Sequence, residues 1–465
     1  MLTQVFDEFI EEVKKENPYI SGTEIAPIVG SVLEIINNNP DATPQEYIDK
    51  LIGGTTYQLE YIRRHLPLPG YTVGAKTDNI NLKLTGGYID SNKREMPENA
   101  LFDVASVTKF YTQIIAYSLI NEGAFDFSSK ICDLDDRFTR LGDLTVGDVL
   151  SFTAKFKTTE TPTNDDFARI DTCENIEDAY KRLYSVKLEE KGTYSYNDLG
   201  MMIMKEVMER VTGKSFEQLL KEYITDKAGL KETFLVLPEE KKQLFTGSAN
   251  IEHGESNDPN ALALGGYSGA AGAKVSSDDL LSLGYAFKNG LFIPKYMMAD
   301  FYTAGAKPIR GKAGNTYVYN KNGVLETFVD RLDASNAFAV QGSTRTNLII
   351  GGSIISILLN PACMSLDEAM EQAEILNQVE IATGKKPAQY VRELHFNRDG
   401  KEVKRMLVDA RNMVPNKHSI EPLTISMTQL SLQLRFLNKV IKAYDKGYAE
   451  KGIEYVKYIN PNQTA

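Results

Sequence analysis

The sequence is poor in the residues that most often mark a metal centre or a disulfide scaffold. Its 465 residues hold three cysteines, Cys132, Cys173 and Cys363, and four histidines, His65, His253, His395 and His418, all widely dispersed. That spacing fits neither a metal-ligand pattern nor a disulfide framework, so the cysteines read as ordinary reduced thiols and no metal is expected. The scattered histidines give a Ser-His-Asp triad no obvious anchor. Positive charge is also short: 52 Lys and Arg against 63 Asp and Glu leave a net charge of −11. An acidic surface repels phosphate backbones, and no basic block is present to meet anionic lipid. Neither nucleic acid nor a membrane is therefore expected as a partner. No run is apolar and long enough to span a bilayer. Residues 1–15 lack the cationic start and apolar stretch of a secretory leader and read as amphipathic helix, which makes the cytoplasm the expected location.

What is present is an ordinary globular composition, 42% hydrophobic and 25% charged. The length suits one large domain with additions, or two to three smaller ones. Residues 1–66 read as a helical extension, with a capping box at Thr43-Pro-Gln-Glu46 and apolar residues at Tyr47, Leu51, Tyr57, Tyr61 and Ile62 around a Gly53-Gly54 interruption. We expect this extension to pack on the main domain. The other reading, a dimerisation or docking arm, leaves a homo-oligomer open.

Residues 67–384 carry the main domain. Tyr71–Ala75 and Leu82–Gly87 read as strands around Asp78-Asn79, and residues 336–341 and Thr346–Ile350 have strand-like composition. Ser353–Leu359 reads as a buried strand, and Ser365–Thr383 as a helix. Residues 125–190 are mixed, with an exposed loop at 158–166. Strands at both ends of the segment with helices between them predict one sheet assembled from distant parts. Residues 385–465 read as an appendage. It comprises a hairpin about Asn397-Arg-Asp-Gly400, then a helix capped at Ser426 with Leu430, Leu434, Leu437 and Ile441 on one stripe.

Two stretches carry chemistry. Leu101 to Gly123 reads as an apolar helix with Ser106 near its start and Lys109 three residues on. Residues three apart share a helix face, so the amine can approach the hydroxyl. A serine needs an adjacent base to become a nucleophile, and burial disfavours the charged lysine, so Lys109 is expected to have a lowered pKa and serve as that base. The second stretch is Tyr196-Asn-Asp198, just before a helix ended by Thr212-Gly213. A phenol near a cation can relay a proton between nucleophile and leaving group.

These motifs, with Pro69-Gly70, Ile120-Asn-Glu-Gly123, Leu144–Leu150 and Gly265-Gly266 through Gly272 to Asp279-Leu280, resemble the serine beta-lactamase-related family in order and spacing over about residues 67–384. That family comprises class C beta-lactamases, D-Ala-D-Ala carboxypeptidases and related esterases. The resemblance implies a penicillin-recognising α+β fold, an antiparallel sheet flanked by helices plus a mostly helical subdomain. It also implies acyl transfer from a small ester, amide or peptide to Ser106, with no cofactor. Lys109 and Tyr196 would be base and relay. Asp198, standing where the family has Asn, would hold Lys109 or a substrate group. The backbone at Gly342 and Ser343 would complete the oxyanion hole. Tyr194 with Asn197 is a rival assignment that fits the spacing to Gly213 less well. Two departures stand out: Val340 replaces the family's Lys or His in the third motif, and Phe152-Thr-Ala-Lys155 replaces its His-Thr-Ser-Gly. They imply altered specificity, away from carboxylate-bearing substrates. The rival expectation is a binding or scaffold protein that keeps the fold with little or no activity.

Overall fold

The computed structural model describes residues 2–16, 22–65, 70–90, 92–157, 176–246, 259–298, 345–350, 354–360, 366–384, 391–398, 401–408 and 420–444. Three helices come first: α1 (Leu2–Glu16), α2 (Gly22–Asn38) and α3 (Pro44–His65). The antiparallel hairpin β1 (Gly70–Lys76) and β2 (Asn81–Gly87) follows. Strand β3 (Leu101–Asp103) leads through a 3-10 turn at Ala105–Val107 into α4 (Thr108–Asn121). The helical region continues with α5 (Val146–Leu150), strand β4 (Ala154–Lys157), α6 (Ile176–Tyr184), strand β5 (Lys187–Lys191) and α7 (Leu199–Thr212). Strands β6 (Thr233–Phe234) and β7 (Lys274–Ser276) precede α8 (Ser277–Lys288). The chain returns through β8 (Arg345–Ile350), β9 (Ile354–Asn360), α9 (Leu366–Ala382), the hairpin β10 (Val391–Arg398) and β11 (Lys401–Val408), and α10 (Ile420–Tyr444).

The main sheet has the order β2-β1-β9-β8, antiparallel throughout. Strands near residues 70 and 360 are thus partners, and the helical subdomain is inserted between them. Along β1 successive side chains point to opposite faces. Tyr71, Val73 and Ala75 join Leu82 and Leu84 of β2 in a core shared with α1, α2, α3 and α10. Gly74 faces the other way. A Cβ there would lie 2.6 Å from Leu281 and 2.9 Å from the Leu82 carbonyl, so its bareness is what lets α8 lie against the sheet. The fold is therefore two helical layers enclosing an antiparallel sheet, an α+β arrangement.

The terminal helices behave as one layer. Phe9, Val29, Ile48, Leu51 and Leu59 of the first three helices pack with Leu423, Met427, Leu430, Leu434 and Leu437 of α10. Each such side chain contributes about 1.5–3 kcal/mol on full burial. Two boundaries differ from the sequence reading. Helix α3 runs through Gly53 and Gly54, which are exposed and touch nothing, because the buried stripe on either side holds the helix together. Helix α10 starts at Ile420 instead of Ser426, because Leu423 and Met427 extend the buried stripe by nearly two turns and Pro422 is tolerated in the first turn.

A second core lies in the helical subdomain. Helix α4 is buried from Thr108 to Leu119 and α7 from Leu199 to Met208, and the two pack together at its centre. Apolar residues on every side identify such helices as interior ones. Among the described residues no helix is long and apolar enough to cross a membrane.

The two glycine environments make opposite predictions for urea denaturation. Gly74→Ala should destabilise by about 1–3 kcal/mol through overpacking against Leu281 and the Leu82 carbonyl. Gly54→Ala should stabilise by about 0.5–1 kcal/mol, since an exposed helix interior gains from the methyl group. An unchanged midpoint in Gly74→Ala would contradict the close approach of α8.

Candidate active site

Strand β3 occupies the start of the expected helix, which therefore begins late. Leu101 to Asp103 pair with Ser276 to Lys274 of β7, so these residues are extended and the helix proper begins at Thr108. The chain then turns sharply at Ala105, whose φ of +44° is left-handed, a region an alanine seldom enters. Two side chains hold it there. The Ala105 N–H donates to Asp103 Oδ1 at 2.8 Å, and Thr108 Oγ1 donates to the Ala105 carbonyl at 2.7 Å. Backbone strain of this kind persists only where its surroundings over-determine it. Its effect is to place Ser106 on the 3-10 turn directly before α4, with Lys109 in the helix's first turn.

Lys109 is fully buried and its ammonium has three acceptors. It donates to Ser106 Oγ at 2.7 Å and to the Ala270 carbonyl at 3.0 Å, and it pairs with Asp198 Oδ1 at 2.5 Å. Asp198 sits at the N-cap of α7, with its side chain 5% exposed. The Tyr196 ring lies 5.0 Å from Lys109 Nζ and stacks on Phe152, centroids 5.2 Å apart and planes 19° apart. The Tyr196 hydroxyl is buried and has no hydrogen-bond partner among the described residues. Phe152 is itself left-handed, with φ +53°. Two of the three non-glycine residues with positive φ among those described thus flank the cluster.

This geometry corrects the expected charge of Lys109. Burial alone pushes its pKa down, but the Asp198 carboxylate, with a smaller contribution from Tyr196, outweighs burial, and the net direction is upward. Lys109 is therefore an ammonium at neutral pH, with one N–H directed at Ser106 Oγ. The folded protein holds this proton more tightly than the unfolded chain. The stabilisation is thus complete below the ordinary lysine range and is lost only as pH rises through the raised value.

A loop from the far side of the sequence closes the cluster. Ser268 Oγ accepts from the Ala270 and Ala271 N–H groups at 3.1 and 3.0 Å. Thr112 Oγ1 donates to the Gly269 carbonyl at 2.5 Å, and the Ala273 N–H donates to Thr108 Oγ1 at 3.0 Å. A Cβ on Gly269 would lie 2.7 Å from Lys205 Cβ, and its φ is +71°, so this position requires glycine. Asp103, Thr108, Thr112 and Ser268 were missed in the sequence. Their one signal was a set of polar residues, at 108, 109 and 112, on a helix otherwise built for burial.

The cluster thus brings together Ser106, Lys109, Tyr196 and Asp198. Tyr194 is 36% exposed, its ring 6.4 Å from that of Phe152. Asn197 is committed to the backbone: its amide donates to the Ala154 and Ser195 carbonyls at 3.0 and 2.7 Å, and its Oδ1 accepts from the Gly200 N–H at 2.8 Å. Gly342, Ser343 and Val340 lie outside the described residues, as do the loop at 158–166 and residues 336–341. Strand β8, which begins two residues after Ser343, is the sheet's edge strand and passes beside the turn that carries Ser106. Lys155 pairs with Glu189 at 3.4 Å on the β4–β5 pair. Among the described residues no group of His, Cys, Asp and Glu is placed to hold a metal ion.

If Asn197 is structural, Asn197→Ala should cost about 2–4 kcal/mol for three hydrogen bonds. Tyr194→Phe should leave the thermal transition in place. Equal stability of the two variants would overturn the assignment.

A family model described as Beta-lactamase matches residues 68–328, more than half of the chain. No curated protein gives a significant sequence match. Among solved structures, the octameric penicillin-binding protein homologue from Pyrococcus abyssi is 14% identical, covering 77% of this chain and 90% of its own, with a TM-score of 0.50. The D-amino acid amidase from Ochrobactrum anthropi SV3, solved with L-phenylalanine amide, is 16% identical, covering 67% and 91%, also with a TM-score of 0.50. At these identities the similarity is one of fold, and it agrees with the arrangement of sheet, inserted helices and buried Ser106 turn. By sequence and by fold, this chain belongs to the beta-lactamase family.

Proposed function

We propose that the protein is a serine hydrolase that forms an acyl-enzyme on Ser106, acting on small esters, amides or short peptides. The observation that carries this reading is the 2.7 Å hydrogen bond between Lys109 Nζ and Ser106 Oγ inside a buried, charge-balanced cluster. Ser106 Oγ attacks the substrate carbonyl carbon, and its proton passes into the group formed by Lys109, Tyr196 and the Asp198 carboxylate. The Ser106 N–H and the backbone at Gly342 and Ser343 receive the developing oxyanion, a role supported by the course of β8 beside the nucleophile turn. The proton returns to the leaving group, and water then releases the acyl group by the reverse sequence. An amino acid amide, L-phenylalanine amide, is bound in the D-amino acid amidase of similar fold. Val340, in place of the family's cation, favours substrates without a carboxylate.

The test is hydrolysis of p-nitrophenyl acetate by the full chain and by Ser106→Ala. The variant should lose about three decades of rate or more, equivalent to about 4 kcal/mol of transition-state stabilisation, with its thermal transition nearly unchanged. Full activity in the alanine variant would remove Ser106 as the nucleophile. In the same assay, matched methyl-ester substrates should exceed the free acids in kcat/KM by about tenfold, the worth of one lost charged hydrogen bond.

A further inference from the structure

Resting on the assignment of Ser106 as nucleophile, we propose that Asp198 is the proton acceptor for Lys109, so that the two act as a one-proton base. The ion pair spans 2.5 Å between Lys109 Nζ and Asp198 Oδ1, with the side chains 0% and 5% exposed. At this separation in a low-dielectric interior, moving the proton from nitrogen to oxygen exchanges two buried charges for two neutral groups. It changes no net charge and moves no heavy atom. Desolvation penalises the ionic form and spares the neutral one, which brings the neutral form within reach.

The remaining contacts suit this exchange. Lys109 Nζ has three partners, Ser106 Oγ, the Ala270 carbonyl and Asp198. With the proton on Asp198, the freed lone pair faces Asp198 Oδ1, and rotation of the amine about the Cε–Nζ bond turns it to the Ser106 hydroxyl while the two remaining N–H groups face Ala270 and Asp198. The steps balance as follows. Lys109 gives a proton to Asp198 Oδ1 and accepts the Ser106 Oγ proton as the Oγ–carbon bond forms. When the tetrahedral intermediate collapses, Lys109 protonates the leaving group and Asp198 returns its proton to the amine. An asparagine at 198 would orient the lysine equally well but has no basic oxygen to take a proton.

Among the described residues, Tyr196 is a further titratable group acting on Lys109, and it favours the ammonium in the same direction as Asp198. Tyr196 lies beside Lys109 on the segment leading into α7. The 268–272 loop contributes backbone and Ser268, and Phe152 offers only its ring. Lys205, behind Gly269, pairs with Glu206 and Glu209 at 2.7 Å each, and Glu206 also meets Arg137 at 3.1 Å.

The experiment measures the rate at which an alkyl fluorophosphonate modifies Ser106, followed by peptide mass spectrometry, from about pH 7 to about pH 10. This probe forms the Oγ–phosphorus bond with loss of fluoride, so it reports activation of the serine without a known substrate. Because the pair keeps its shared proton over this range, the native rate should stay within about twofold. If only the free amine of a raised-pKa lysine is competent, the rate will instead climb about tenfold per pH unit. That climb overturns the proposal. Asp198→Asn should convert the flat profile into one that rises with pH and then levels. An Asp198→Asn profile as flat as the native one overturns the proposal as well. Tyr196→Phe, which needs no charge buried alone, should lower the rate but keep the flat shape; a sloped profile there would assign the relay to the phenol. Absence of modification at Ser106 at every pH would remove the nucleophile and the relay together. Modification with a sloped native profile would remove the relay alone.

Discussion

The site depends on one buried ion pair, Lys109 with Asp198. Isolated, either charge would be costly at that depth, by several kcal/mol for each ion. Together they join the first turn of α4 to the cap of α7, the two interior helices of the helical subdomain. The ammonium's other two hydrogen bonds reach the Ser106 hydroxyl and the Ala270 carbonyl, so Ser106, second helix and distant loop meet at one nitrogen. Removing either charge would leave the other uncompensated in the interior.

Around that pair the chain stores strain and then over-determines it. Ala105 is forced left-handed immediately before Ser106 and is held by Asp103 and Thr108. Phe152 is forced left-handed beneath the Tyr196 ring. Both lie on elements anchored by buried apolar packing, which is what lets a short strained turn keep its shape. The loop at 268–272 is held by hydroxyls from α4 itself, so the helix that carries Lys109 also positions the carbonyl that Lys109 meets.

Much of this was legible in the sequence, for a local reason. Ser106 and Lys109 are one helical turn apart, so spacing suggested that they meet; that Tyr196 and Asp198 join them was implied by the family resemblance. The alternation in β1 and the apolar run of β9 marked strands, and their distance in the chain suggested a sheet closed around an insertion. What escaped was non-local. The Ala270 carbonyl is 161 residues from Lys109, and nothing in its own residue type signals the contact. Leu101–Asp103 has apolar residues that suit a helix, but its pairing with β7 decides the matter. The charge of Lys109 was misread because burial was weighed without the carboxylate opposite, although Asp198 itself was in view.

Titration of the Lys109 side chain shows most directly whether Asp198 keeps it protonated in the interior. In protein labelled with carbon-13 at lysine Cε, the Lys109 resonance is assigned by its loss in Lys109→Met. An ammonium shift should be present at neutral pH and persist through the ordinary lysine value of 10.5, with an earlier transition in Asp198→Asn. A native Lys109 that titrates below the ordinary lysine value, with no change when Asp198 is replaced, would rule out that role for Asp198.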